Sequence, residues 1–295
     1  MASFIMAGRI QAAFFVVLST LVSLLIPPII VFSNAAIALI TLRKGWQQGV
    51  IYTLLATATL VLISIALKQQ ASSSIAAGLA NWLPIVLIAS ALAMTKSWSK
   101  TLQLTLVLSA AGVLLFHLLH PDAENYWKVT LEQFKPLLQQ AAQFEGIDID
   151  ETINKAARWM TATFTSALTV IMIISLIIAR NWQARLFNPG GFGEEFRQIA
   201  IGKQFAIALL IGIAIAVITQ SQIIIELIMV GVTIFMFQGL SLAHTLVKQR
   251  EMNTGWLVTL YILMFILLIQ MIVLLAAIAI IDSFVDFRKA KASTE

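Results

Sequence analysis

Long apolar runs alternate with short polar turns along almost the whole chain, and this pattern predicts membrane helices. A helix needs about 20 mostly apolar residues to cross the roughly 30 Å hydrocarbon core of a bilayer. The runs that approach this length lie at about 10–26, 29–42, 48–67, 71–94, 101–119, 159–179, 204–219, 223–243 and 256–281. The sequence therefore predicts an all-α fold, a polytopic membrane helix bundle of eight to nine spans.

The first uncharged stretch, Gln11 to Leu42, is 32 residues long and carries Pro27 and Pro28 in its middle. Proline removes a backbone donor and clashes with the preceding turn, so it ends a helix. We therefore expect two short helices here, and the pattern leaves open whether the prolines form a re-entrant break or a loop between two spans. Because lipid cannot pair the freed carbonyls, we expect the break to face protein.

Residues 120–158 form the one long polar stretch and divide a single membrane domain. Helices of residues 1–119 precede it, helices of residues 159–281 follow it, and residues 282–295 form a tail. An amphipathic helix is predicted inside this insertion from the helical spacing of Trp127, Leu131, Phe134, Leu138 and Ala142.

Three signals predict how that helix ends and the next begins. Pro136 should kink or restart it, Gly146 should cap it, and Asp148 with Glu151 has the spacing of a capping box. A new helix should then run into the span that begins near Trp159. The insertion is either a lid or docking surface over the bundle, or an interfacial helix that lies on lipid headgroups.

Charge indicates orientation. The chain has 60% hydrophobic and 11% charged residues and a mean hydropathy of +0.93, whereas charged residues make up about a quarter of a soluble domain. Its net charge of +5 resides mostly in short loops, which indicates topology rather than a nucleic-acid partner. If residues 120–158 lie outside, 11 of the 19 basic residues lie inside: Arg9, Arg43, Lys44, Lys96, Lys100, Arg180, Arg185, Arg197, Lys203, Lys248 and Arg250.

One feature conflicts with this orientation. Nine spans place the carboxy terminus outside, yet the tail carries Arg288, Lys289 and Lys291.

Enzymatic chemistry is not indicated. The chain has no cysteine and lacks the G-x-S-x-G, H-E-x-x-H and Walker lysine motifs, so we expect neither an enzyme nor a cofactor. The glycine-rich turn at 188–193 resembles a phosphate loop, but Glu194 and Glu195 follow it and would repel an anion. It is interpreted as a cytoplasmic turn.

Two histidines, His117 and His120, lie close to Asp122 and Glu124 and raise the question of a metal site. The third histidine, His244, is predicted on the opposite face of the membrane, so we favour interfacial capping and expect no metal.

Polar side chains inside spans are the best candidates for a binding site, since an unpaired amide in hydrocarbon is costly. Asn34, Asn81 and Gln238 are the candidate substrate-binding residues; the alternative is that their hydrogen bonds join helices. Glu226 lies near a span end, where extension of its carboxylate to the headgroups is favoured over proton coupling.

Several stretches resemble the YybS-like family of bacterial membrane proteins over nearly the whole chain: GIDIDETINKAARWM, ARNWQARLF, NPGGFGEEFRQIAIGK and FQGLSLAH. The resemblance implies a bacterial inner-membrane protein. The charges of the loops predict that residues 120–158 are extracytoplasmic.

The amino-terminal stretch PPIIVFSNAAIALITLRKGWQQG is similar to the substrate-binding S subunits of energy-coupling-factor importers. The first helix of these subunits usually presents alanine at four-residue spacing to a coupling subunit, and the matching small pair here is Ser19 and Ser23, which departs from the alanine pattern. This similarity implies binding or transport of a small molecule, and other membrane subunits as partners. The alternative is a non-enzymatic partner or assembly protein without a transported substrate, which docks through the insertion or the loop at 180–203.

Overall fold

The computed structural model describes residues 1–142 and 148–288, and within them it shows only helices, turns and loops, which confirms the all-α bundle. The helices are α1 (Ala2–Ala7), α2 (Arg9–Leu25), α3 (Ile30–Lys44), α4 (Trp46–Ala66), α5 (Ala71–Thr95), α6 (Trp98–Leu119), α7 (Ala123–Glu132), α8 (Lys135–Ala142), α9 (Ile149–Phe187), α10 (Gly191–Arg197), α11 (Lys203–Thr219), α12 (Gln222–Gln249), α13 (Gly255–Ile266) and α14 (Leu268–Val285).

Six of these helices are long and apolar enough to cross a membrane: α4, α5, α6, α9, α12 and α14. Helices α2, α11 and α13 are shorter apolar helices. The membrane-protein prediction is thereby confirmed.

The bundle has two ends. We call one the basic face, where α9 and α12 end and Arg197 and Arg288 lie. We call the other the insertion face, where α7 lies beside the start of α12. Contacts between helix ends define both: Thr245 near the end of α12 donates to the Arg197 carbonyl, and Gln222 at its start donates to the Arg158 carbonyl.

The ninth predicted span, 256–281, is wrong as a single span. The chain breaks at Leu267, whose φ of −119° and ψ of 51° leave the helical region and separate α13 from α14. Gln249 at the end of α12 donates to the Arg288 carbonyl after α14. The chain therefore leaves the basic face after α12 and returns to it, which places Arg288 with the basic loops and removes the charge conflict. Lys289 and Lys291 lie outside the described residues.

The two short amino-terminal helices are confirmed as α2 and α3, joined by a 3-10 turn at Pro27–Ile29. The expectation that this break faces protein is wrong, because both prolines are exposed. The turn pairs its own backbone: the Ile29 amide donates to the Ile26 carbonyl, and the Ile30 amide to Pro27. A turn satisfied in this way needs no protein cover.

Helix α3 is the centre of the amino-terminal half. Every residue from Ser33 to Thr41 is buried, and α2, α4, α5 and α9 pack around it. At about 1.5 Å per residue its 15 residues reach only about 22 Å, less than the hydrocarbon core. The surrounding helices therefore shield α3 from lipid.

Helix α12 is the centre of the carboxy-terminal half, and α6, α9, α11 and α14 pack against it. Its residues Thr233 to Leu242 are all buried. Helix α9 has 39 residues, or about 58 Å, and contacts both central helices. It therefore holds the two halves together.

The insertion begins as predicted. Helix α7 ends at Glu132, and Pro136 lies in the first turn of α8, where its missing donor costs nothing. The Asp148 side chain accepts from the Asp150 and Glu151 amides and starts α9, which confirms that a new helix continues into the membrane span. The predicted cap at Gly146 lies outside the described residues, as does the side chain of Ala142.

Helix α7 is attached to the bundle by its tryptophan. The Trp127 side chain is buried, and its indole donates to the Thr161 hydroxyl of α9 at 2.8 Å. Phe134 and Leu138, further along the predicted apolar side, are exposed.

Candidate functional site

Asn34 and Asn81 form a closed pair between α3 and α5. Each amide nitrogen donates to the other residue's carbonyl oxygen, at 3.4 Å and 3.0 Å. Asn34 has no exposed surface. This reciprocal pair uses one donor and one acceptor of each amide, half of its hydrogen-bonding capacity, on a contact between the two helices.

Gln238 lies elsewhere, in α12 toward the basic face. Its carbonyl oxygen accepts from the Ile201 amide at 2.8 Å, and its amide nitrogen lies 3.0 Å from the Ala279 carbonyl oxygen. The same nitrogen is 3.2 Å from side-chain oxygens of Asp282 and Ser283. The structure thus brings Asn34 and Asn81 together and places Gln238 in a separate network.

The Ile201 amide belongs to a non-helical segment, 198–202, which we call the buried connector after its two buried isoleucines, although Gln198 and Ala200 are exposed. Its apolar residues Ile199 and Ile201 are at most 1% exposed. Buried backbone outside a helix must find partners among side chains. The connector does so from three directions: Ser99 accepts from the Ala200 amide, Gln103 donates to the Ile201 carbonyl, and Arg288 donates to the Ile199 carbonyl.

Stretches that were far apart in the sequence meet here. Ser241 of the FQGLSLAH stretch donates to the Phe196 carbonyl, which precedes the connector, at 2.7 Å. Arg180 of the ARNWQARLF stretch donates to both carboxylate oxygens of Glu195. Three of the four stretches behind the YybS-like resemblance therefore meet at the basic face, whereas the fourth, at 146–160, begins α9 at the insertion face.

A cavity of about 510 Å³, the inner cavity, opens beside this cluster. Gln238 lies in its wall, together with Glu194, Arg197, Gln198, Ala200, Gly202, Thr245, Lys248, Gln249, Asp282, Ser283, Asp286 and Arg288. Arg288 is neutralised by Asp282 at 3.4 Å and bonded to the Arg197 and Ile199 carbonyls. No ion pair among the described residues engages the guanidinium of Arg197 or the ammonium of Lys248.

A second cavity of about 340 Å³, the outer cavity, lies at the insertion face. The carboxylate of Glu226 lies in its wall, with a side chain only 2% exposed. One of its oxygens is 2.7 Å from Nε2 of His117 in α6, and the other accepts from the Gln222 amide at 3.2 Å. The expectation that Glu226 extends to the headgroups is therefore wrong, because α6 supplies a partner inside the protein.

The two neighbouring histidines do not act together. The His120 ring packs on Tyr126, with ring centroids 4.1 Å apart, while His117 pairs with Glu226. Within residues 1–142 and 148–288 no group of three or more His, Asp or Glu side chains is arranged to hold a metal.

The two cavities lie at opposite ends of α12. Glu226 and Gln238 are 12 residues apart, about 18 Å along the helix axis. Buried residues between them, from Val230 to Phe237, are mostly apolar. We call this part of α12 the apolar plug.

Sequence reasoning missed the partners of these side chains. His117 and Glu226 are separated by 109 positions, and Gln238 and Asp282 by 44. The available signal for the outer pair was an acid inside a span, since such acids are usually paired within the protein.

No curated protein and no solved structure matches this chain. Residues 13–283 match the family model described as "Predicted membrane protein (DUF2232)". Because this match covers almost the whole chain, from the second turn of α2 to the end of α14, the protein belongs to the DUF2232 family of predicted membrane proteins.

Proposed function

We propose that this membrane protein is not an enzyme and binds a small polar solute that passes along α12. One observation carries the proposal: polar cavities open at the two ends of one buried helix, with the apolar plug between them. Transport proteins expose a central pathway alternately to each side of the membrane, and intramembrane polar residues mark such pathways.

The proposal locates the solute in the carboxy-terminal half rather than at the proline-broken helices. Asn34 and Asn81 bond to each other, and neither lines the inner or the outer cavity. Ser19 and Ser23 are buried within this chain, so they are not displayed to a coupling subunit as in the S-subunit arrangement. Of the three candidate residues, Gln238 is the one that lines a cavity.

The inner cavity favours a solute that carries both charges. Its lining has three basic and three acidic side chains: Arg197, Lys248, Arg288, Glu194, Asp282 and Asp286. Arg197 and Lys248 suit an anionic group of the solute, and Glu194 in the same wall suits a positively charged end. A small zwitterion fits this lining.

The rival function is a partner or assembly protein that docks other subunits on the insertion or on the loop at 180–203. Part of each surface is engaged within the chain: Trp127 packs on α9, and the buried connector is bonded to α6 and α12. Phe134 and Leu138 of the insertion remain exposed, so it is the pair of cavities that favours the solute-binding function.

We further propose a bacterial plasma-membrane location with the insertion face outside, supported by the charge of the basic face and the YybS-like resemblance. The cysteine-free chain permits a direct test. Single cysteines at Gln139 and Gln198, both exposed, should react with an impermeant thiol reagent from opposite sides of the membrane, Gln139 from outside. A third single cysteine, at Phe287, should react from the same side as the one at Gln198. Reaction of Gln139 and Gln198 from one side would overturn this topology.

Solute binding is tested by thermal unfolding of the purified protein with a panel of amino acids, small carboxylates and phosphorylated metabolites. A solute of the inner cavity should raise the unfolding temperature of the wild type and of Lys100→Gln, which removes an exposed charge at the basic face outside the cavity. It should fail to do so for Lys248→Gln. Equal responses of the two variants would exclude the inner cavity as the binding site.

Three further single cysteines test from which side of the membrane each cavity and the apolar plug can be reached. Ser221→Cys in the outer cavity should react only from the insertion side, and Ser283→Cys in the inner cavity only from the basic side. Thr233→Cys in the apolar plug should react slowly in the resting protein and faster with the stabilising solute, if the pathway opens. Faster reaction of Ser221→Cys from the basic side than from the insertion side would refute the two-cavity arrangement.

A further inference from the structure

We infer that His117 and Glu226 form a proton-binding site open to the insertion face. Intramembrane carboxylates paired with a histidine are chemically suited to this task, because both groups exchange protons with water. Here the carboxylate oxygen and Nε2 of the imidazole are 2.7 Å apart, within the distance of a strong hydrogen bond.

Because the pair is buried, binding of a proton changes the free energy of the folded protein. The side chains of Glu226 and His117 are 2% and 15% exposed. A carboxylate beside a neutral imidazole carries a net charge of minus one, and a single added proton makes the pair neutral wherever that proton resides. Since net charge is costly away from water, the added proton relieves the cost of burying the pair.

The surrounding charges do not neutralise the pair by themselves. Helix α7 and the residue before it bring Glu124 and Asp122 to the cavity wall, and α9 brings Arg158. From α12 itself, Gln222 donates a neutral hydrogen bond to Glu226. Two acids face one arginine around the pair, so the local field favours uptake of a positive charge.

Water reaches the pair through the outer cavity. With a volume of about 340 Å³ and walls that include Asp122, Thr161 and Ser221, this cavity is roomy and polar enough for several waters. The proton comes from water at the insertion face, binds to the imidazole or the carboxylate, and returns to water. No other bond is formed or broken.

The inference rests on the proposed function only for what the proton would be coupled to. Because Glu226 and the apolar plug belong to the same helix, neutralising the pair changes the charge at one end of the pathway. A proton at this site is therefore suited to serve as the coupling ion for the solute.

Infrared difference spectroscopy of the purified full-length protein, between alkaline and acidic buffer, tests the site. The wild type should gain a carboxylic-acid carbonyl band if the proton resides on Glu226, or imidazolium ring bands if it resides on His117, and either band should be sensitive to D₂O. A wild type that gains neither band would overturn the inference. Glu226→Gln keeps the shape and a hydrogen-bonding side chain but should abolish the band, because no buried carboxylate then balances the charge of the proton. Glu124→Gln removes an exposed carboxylate from the same cavity wall and should retain it.

A second variant separates proton binding from a structural role. His117→Gln should change the frequency of a carbonyl band, because an amide replaces the imidazole as the partner of the carboxyl group, and should abolish any imidazolium bands. An unchanged band in Glu226→Gln, or bands in His117→Gln identical to those of the wild type, would overturn the inference. If no solute stabilises the protein but the band behaves as described, the proposed function fails and the proton site stands.

Discussion

The two halves of this bundle treat buried polar side chains in opposite ways. Around α3, the amides of Asn34 and Asn81 satisfy each other and close the contact. Around α12, the polar side chains of Glu226 and Gln238 bond to groups that line cavities at the two faces. Burial alone therefore does not distinguish a packing contact from a site. What distinguishes them is whether the polar groups also border space that a solute or water can enter.

The helices also approach each other more closely in the carboxy-terminal half. This difference predicts the largest effect of a substitution on the free energy of unfolding. A methyl group added at Gly239 of α12 would overlap the Leu275 backbone carbonyl of α14, which cannot rotate away. One added at Gly78 of α5 would meet only the Thr57 side chain. We expect Gly239→Ala to lower the free energy of unfolding by about 3 kcal/mol, and Gly78→Ala by clearly less.

Thermal or denaturant unfolding in micelles measures both changes. Gly112→Ala in α6 is the control, because nothing lies within 4 Å of its added methyl group. An effect of Gly78→Ala as large as that of Gly239→Ala would show that the two halves are packed equally tightly.

The next largest effect is expected at the outer cavity. His117→Ala leaves the buried Glu226 carboxylate without its imidazole partner and should cost about 1–3 kcal/mol of unfolding free energy. The double variant His117→Ala, Glu226→Gln should recover part of this loss, since no buried charge is then left unpaired. Unfolding of the four proteins of this cycle at one pH provides the coupling energy. Strictly additive losses would argue against an interaction between the two side chains.

Replacing the buried amide side chains of the two halves compares the halves directly. Asn34→Leu removes one member of a closed pair and should cost about 0.6 kcal/mol, with an upper bound of about 2. Gln238→Leu should cost more, about 1–3 kcal/mol, because it leaves the buried Ile201 amide without an acceptor.

Solute binding provides the second readout for the same variants. Asn34→Leu and Asn81→Leu should retain the stabilisation by solute, and Gln238→Leu should lose it. Loss of binding in the two asparagine variants, without loss of stability, would return the site to the amino-terminal half.

The smallest effect is expected in the insertion. The Lys135 ammonium is 2.5 Å from the Asp150 carboxylate, and this hydrogen bond raises the pKa of the partly exposed Lys135. A raised pKa means that any stabilisation is fully present below the ordinary lysine pKa and is lost as the pH rises through the raised value. At neutral pH, Lys135→Gln should leave the unfolding temperature unchanged within error, because exposed pairs contribute little. A measurable drop in the unfolding temperature would mean that the ion pair stabilises the insertion more than its exposure indicates.

Local features were readable because each depends on a few neighbouring residues. Apolar length predicted eight of the helices, Pro27 and Pro28 separated α2 from α3, and Asp148 marked the start of α9. The break at Leu267 had no such signal, because this residue is neither glycine nor proline and both flanks are apolar. The basic residues after α14 were the only indication that the chain returns to the basic face.

The site was readable only in part. Asn34, Asn81 and Gln238 were recognisable as costly side chains within spans, but no spacing shows that two of them bond to each other while the third holds the buried connector. The same holds for Glu226, whose partner His117 comes from another helix.

The sequence by itself determined that this protein is an all-α membrane bundle with basic loops gathered at one face, because hydropathy and charge act over short stretches of chain. The tertiary structure alone decided which helices are central, which polar groups close on each other and where cavities remain. These properties depend on contacts between residues tens of positions apart: amide hydrogen bonds join two helices at Asn34, whereas those of Gln238 border a cavity.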